Sequence, residues 1–188
     1  MHMEIIIVSG LPRSGTSLMM QMLENGGIEL VTDGVRTADT DNPKGYYELE
    51  KVKSIQRDAS WLPATRGKAL KMVSQLLYGL PSSERYRIIF MERDFDEMLS
   101  SQEKMLDRLG KPVAAREQIT QAFTLHLKQL HEWLQRQANF QVLRLSFNDL
   151  LAEPRRQAER VCAFLGVDAD IEAMARTVDP SLYRNRKA

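Results

Sequence analysis

The chain has 188 residues, 43% hydrophobic and 27% charged, a balance that excludes a disordered polymer and supplies enough apolar side chains for one core. Its 26 basic and 25 acidic residues leave a net charge of +1, which argues against a globally basic nucleic-acid binder but leaves a local anion pocket open. The lone cysteine, Cys162, rules out an intrachain disulfide and a multi-cysteine zinc site, and fits a reducing, cytoplasmic setting. No apolar stretch approaches the roughly 20 residues of a membrane span, and no basic segment followed by an apolar core marks a leader. Met1-His2 reads as a cloning scar ahead of Met3.

Residues 4–9 (EIIIVS) are a β-branched run that reads as a buried parallel strand. Residues 10–15 make a glycine-bounded loop, and residues 16–25 (TSLMMQMLEN) have helical composition stopped by Gly26-Gly27. Residues 28–32 read as a second strand, residues 33–45 as polar loop, and residues 46–58 as a helix of mixed charge. Short strands are expected at 69–73 and 87–92 (RIIFME), then a helix over 94–109 that Gly110 and Pro112 stop. A long amphipathic helix over 117–137, a strand at 140–145 (FQVLRL) and helices over 154–165 and 171–176 complete the chain. Strands alternating with helices predict an α/β fold, one domain over 1–188 with a central parallel sheet flanked by helices. Ligands in such folds sit at the carboxyl ends of the strands. Residues 10–17 and Arg93 should meet there.

The most informative segment is Ser9-Gly10-Leu11-Pro12-Arg13-Ser14-Gly15-Thr16-Ser17. Its G-x-x-x-x-G frame lies after a strand and before a helix, the context a phosphate loop needs. Glycines let the backbone turn its N–H groups onto an anion, and the helix start adds free donors and a dipole. A nucleotide kinase would read G-K-[ST] at the end of the frame, its lysine bridging the terminal phosphates. Here Thr16 stands in the lysine slot, the cation has moved inside the loop to Arg13, and Thr16 and Ser17 keep hydroxyls at the helix start.

The run LPRSGTSLM resembles the 5′-phosphosulfate loop of sulfotransferases that use 3′-phosphoadenosine 5′-phosphosulfate. It is especially similar to the branch with Arg in the loop, which includes the tyrosylprotein sulfotransferases. The resemblance implies a second block, a strand with an Arg at its end and a Ser eight residues on. Residues 87–101 (RIIFMERDFDEMLSS) supply Arg93 and Ser101, with Glu97 where the family often has Asp and Ser100 as the neighbouring competitor. A third stretch, residues 143–166 (LRLSFNDLLAEPRRQAERVCAFLG), resembles the family's closing strand, (Y/F)-x-D-L, Pro and F-L-G-ending helix. Together the matches run from Ile5 to Gly166. Without the resemblance, Arg93 still lies at the ligand edge as a planar fork suited to phosphate. Its alternative is to pair with Asp94 or Asp96.

Two departures matter. Many family members carry a general-base histidine in a K-T-H-like block, and here Lys71-Met72-Val73-Ser74 puts Val73 in that slot. His126 and His131, on the long helix, read as packing or surface residues. A base must then be a carboxylate, or the acceptor needs none; Asp33 leads and Glu48 is second, although Asp33-Gly34 is also a common turn pair. The family's glycine-rich C-terminal block is absent too. The basic tail over 177–188 can fold back with Arg184 or Arg186 near phosphate, or stay solvated. Cys162, Trp61 and Trp133 read as core.

The expectation is therefore a sulfotransferase that needs no metal. Pro12, Arg13, Ser14, Gly15, Thr16 and Ser17 hold the 5′-phosphosulfate, Arg93 and Ser101 hold the 3′-phosphate, and the tail's Arg184 is a further nucleotide-binding residue. Arg13 with Asp33 or Glu48 does the chemistry on a hydroxyl or amine acceptor. The partners are that nucleotide and that acceptor, with no nucleic acid and no membrane span. Residues 33–68 are the expected acceptor wall. Two other readings stand beside it. A degenerate phosphate-loop small-molecule kinase has Thr16 against it. A non-catalytic nucleotide-binding or sensing protein of the same fold is kept open by Val73.

Overall fold

A computed structural model describes residues 4–35, 45–110, 112 and 115–179. Four strands, β1 (Ile5–Gly10), β2 (Ala69–Val73), β3 (Tyr86–Glu92) and β4 (Phe140–Ser146), form one parallel sheet in the order β2-β1-β3-β4. Every residue of β1 is buried, as its continuous apolar run requires of a central parallel strand. Alternate side chains feed two cores. Ile6, Val8, Ile89 and Met91 pack on one face with Met19, Met22 and Leu23 of α1 (Thr16–Asn25) and with Val161 of α5 (Pro154–Leu165). Ile5, Ile7, Leu70, Ile88 and Phe90 pack on the other with Leu130 and Leu134 of α3 (Arg116–Gln135). Truncating such a residue to alanine costs about 2–5 kcal/mol. A third cluster joins Leu11 to Met98 and Leu99 of α2 (Phe95–Arg108), with Phe123 and Leu127 of α3 against it.

The strand order places the ligand edge. The chain leaves β1 for β2 on one side and later starts β3 on the other. Connections from β1 and β3 therefore diverge, and a crevice opens between their carboxyl ends. Gly10 is in register with Met91 across that gap and with Val73 on the other side.

Two local expectations are corrected, and one helix is added. Residues 28–32 make no strand, only one parallel bridge from Leu30 to Ala69, because the chain turns off β2 at Thr32-Asp33 after a single rung. Residues 46–58 form no α-helix. Residues 45–49 are irregular, Tyr47 takes a left-handed φ of 55°, and a 3₁₀ turn covers Glu50–Ser54. The buried pair there is Val52 and Ile55, spaced by three, which a 3₁₀ turn stacks on one face. An unanticipated helix, α4 (Phe147–Ala152), follows β4 directly, because the Ser146 hydroxyl accepts from the Asp149 N–H at 3.2 Å. The chain closes with α6 (Ile171–Arg176), whose Met174 packs against Gly26. Among the described residues no helix is long and apolar enough to cross a membrane.

Candidate functional site

The loop between β1 and α1 is built by close approach. A Cβ on Gly10 would lie 2.4 Å from Ser14 Oγ and 2.6 Å from the Met91 carbonyl. A Cβ on Gly15, whose φ is 99°, would lie 2.3 Å from the Phe147 ring. Only hydrogen fits at either position, so α4 presses directly on the loop. Arg13 itself takes a left-handed φ of 67°, uncommon for a residue other than glycine. Helix α1 has no side-chain cap at Gly15, so the amides at its start face outward as donors. Ser14 is 1% exposed, and its Oγ is buried with no hydrogen-bond partner. An orphaned hydroxyl in a loop of outward amides suits an anion with several oxygens.

The second block is bonded to this loop. Arg13 Nε donates to Ser101 Oγ at 3.0 Å, and an Arg93 Nη donates to the Arg13 carbonyl at 3.2 Å. Asp94 caps α2, accepting from the Asp96 and Glu97 amides. Arg93 lies 3.4 Å from the buried Glu97 carboxylate, with its guanidinium 4.5 Å over the Phe147 ring. Asn148 donates to the other Glu97 oxygen at 3.4 Å. Ser100 is claimed by Arg116 at 2.6 Å, so Ser101 is the serine that turns to the loop. The spacing of eight therefore brings both partners to Arg13 although residues 13 and 101 are remote in sequence.

Beside this tie lies a cavity of about 320 Å³, within the usual range for small-molecule sites. Ser14, Arg93, Glu92, His131 and Arg144 give it polar lining, and Phe90, Met98 and Leu127 supply apolar surface. Burial and the Arg144 charge lower the His131 pKa.

The β2 side is assembled differently. Lys71 is a charged residue inside a buried strand, and that signal in ALKMV went unread. Its side chain is 9% exposed and donates to Ser17 Oγ at 3.3 Å and to the Tyr46 carbonyl. Glu48 lies 3.7 Å from the Lys71 ammonium. An ammonium thus reaches the helix start from the sheet, although the loop has none of its own. Asp33 accepts from the Val35 amide at 3.0 Å and the Glu50 amide at 2.5 Å. Those bonds, the one to Glu50 foremost, hold its carboxyl below the usual range. Ser74, next after Val73, lies 2.9 Å from His126 Nε2, a pair that no sequence spacing announced. Arg184 and Arg186 lie outside the described residues.

Comparison with known proteins agrees with this architecture. The Sulfotransferase family profile matches residues 83–171, which hold Arg93, Ser101 and the closing stretch but not the loop. A sulfotransferase from Alicyclobacillus acidocaldarius is 18% identical, with a TM-score of 0.54 over 89% of this chain and 84% of that one. A mouse sulfotransferase crystallised with PAP is 16% identical, with a TM-score of 0.59 over 98% of this chain and 68% of that one. The sulfotransferase domain of the curacin biosynthetic pathway is 14% identical, with a TM-score of 0.56 over 90% and 76%. At such identities these likenesses report the shared phosphate-loop α/β fold. A search of curated proteins finds no significant match.

Proposed function

We propose that this member of the sulfotransferase family moves a sulfuryl group from 3′-phosphoadenosine 5′-phosphosulfate to a hydroxyl or amine acceptor by in-line displacement. The tie from Arg13 to Ser101 and Arg93 carries the reading. It joins a loop suited to a 5′-phosphosulfate with two residues suited to a 3′-phosphate, across the crevice where this fold receives ligands. The bound donor supplies an activated sulfur whose leaving group is a phosphate. Loop amides with Ser14, Gly15, Thr16 and Ser17 hold that phosphate, while Pro12 stiffens the turn. Arg13 meets the charge growing on the bridging oxygen with a charge-assisted hydrogen bond. Arg93 and Ser101 grip the 3′-phosphate, and Arg184 in the tail is a further candidate for it.

Lys71 sets a positive charge beside Ser17, and Glu48 positions that ammonium. The amides on Asp33 favour a role in shaping the turn that carries Glu48, whose carbonyl accepts from the Asp33 amide at 3.2 Å. Residues 33–68 then form the acceptor wall of a single domain.

A thermal-shift series tests the reading. At a hundred times its Kd a ligand stabilises by about 2.7 kcal/mol. Adenosine 3′,5′-bisphosphate should raise Tm more than ADP or ATP with magnesium. A larger rise with ATP would overturn the proposal and favour a kinase.

A further inference from the structure

We propose that His126, presented by α3 and held by Ser74 at the carboxyl end of β2, takes the proton from the acceptor; the inference rests on the sulfuryl-transfer reading above. The strand register brings the pair to the site. Val73, the last residue of β2, is in register with Gly10, the last residue before the phosphate loop, and Ser74 follows it. Helix α3 reaches the same edge independently, since Phe123 and Leu127 pack against the cluster that holds Leu11.

The hydrogen bonds select a tautomer. The Ser74 hydroxyl donates to Gln75 Oε1 at 3.4 Å, and Ser74 Oγ lies 2.9 Å from His126 Nε2. A hydroxyl has one proton. With that proton directed to Gln75, Ser74 Oγ accepts from Nε2–H, and the imidazole keeps its lone pair on Nδ1. Ser74 is fully buried, so it is a positioning residue and does not touch the acceptor.

The surroundings suit a proton acceptor. Tyr78, 39% exposed, borders the imidazole, its ring meeting it edge-on at 6.3 Å. An acceptor with an apolar body can rest there with its hydroxyl or amine turned to the imidazole. Burial lowers the His126 pKa and keeps it neutral near pH 7. The titratable groups on its side are Tyr78 and, further along α3, His131 with Glu92 and Arg144 behind it. Lys71 turns the other way, to Ser17. In the step itself the acceptor's O–H or N–H bond breaks and its proton passes to Nδ1. The new bond to sulfur forms as the old S–O bond breaks, and that electron pair leaves on the nucleotide's 5′-phosphate.

Imidazole NMR of the full chain tests this without any acceptor, His126 being assigned from the spectrum of His126→Gln. Filling the loop with adenosine 3′,5′-bisphosphate should raise the His126 titration midpoint by about half a pH unit or more, because a nearby dianion favours the imidazolium. Ser74→Ala should weaken the Nε2–H signature. A nucleotide that binds without moving the midpoint overturns the role of His126 and leaves the sulfuryl-transfer reading standing. A nucleotide that fails to bind removes both. With 2-naphthol as probe acceptor, His126→Gln should lower kcat by about 10²–10⁴-fold at an unchanged donor KM. Equal kcat in the two proteins overturns the inference as well.

Discussion

The two sides of the sheet edge are made in different ways. On the β1–β3 side, a strand-loop-helix unit and the start of α2 supply Arg13, Ser14, Arg93 and Ser101, and each bond joins one block to the other. Buried charges there are paired, Arg93 with Glu97. On the β2 side, Asp33, Glu48, Lys71 and His126 come from four separate segments, three of them outside any strand. The backbone over 45–68 is irregular apart from two 3₁₀ turns. A phosphate presents the same oxygens in every ligand, so regular structure can hold it with backbone amides. An acceptor surface has no such constant to match, and the proposed acceptor side draws on irregular chain together with one residue each of β2 and α3.

The sharpest way to break this contrast is Arg13→Ala. Loss of a preorganised donor to developing charge typically costs about 10²–10³ in rate, and transfer should fall at least that far. Unchanged turnover would remove Arg13 from the chemistry. The fold should survive, because what Arg13 Nε holds is the Ser101 hydroxyl.

Arg93→Ala comes next and acts twice. Hydrogen bonds to charged groups are worth about 1.5–3 kcal/mol, so affinity for adenosine 3′,5′-bisphosphate should fall by about 10–100-fold. Affinity for adenosine 5′-phosphate should fall much less, and equal losses would refute contact with a 3′-phosphate. The substitution also removes the guanidinium beside Glu97, which is 5% exposed, and breaking a buried pair costs up to about 3–5 kcal/mol. Adding Glu97→Gln should recover part of the stability and none of the affinity, which separates the two effects by melting and titration.

Legibility followed the same division. The runs EIIIVS and RIIFME became β1 and β3 because a central parallel strand is apolar on both faces, and few other structures fit such a run. The glycine frame of the loop is readable because G-x-x-x-x-G between a strand and a helix is a local pattern, although two of the groups pressed on the glycines, Met91 and Phe147, are remote in sequence. Ser101 could be placed by spacing, but its partner could not, since the bond to Arg13 spans 88 residues. Residues 46–58 misled because their charges and apolar residues suit a helix, whereas burial of Val52 and Ile55 needs only one 3₁₀ turn. The Ser74–His126 contact depends on how α3 lies over the sheet. No local pattern encodes that.

The smallest expected effect tests the β2 side through Asp33. Its carboxylate is fully exposed, and its pKa is lowered from 3.8 chiefly by the Glu50 amide and then by the Val35 amide. A group whose folded pKa is depressed stabilises the protein above its unfolded value, and the contribution is lost as pH falls through the folded value. Wild-type protein should therefore lose stability more steeply than Asp33→Asn as pH drops below about 4, and the two Tm curves should converge in acid. Near neutrality Asp33→Asn should melt slightly lower, because the neutral amide is a weaker acceptor for the same two N–H groups. Transfer should stay close to wild type, since a carboxylate already bound by two amides is a poor proton acceptor. A hundredfold loss of transfer with an unchanged melting curve would reverse the assignment and make Asp33 the base.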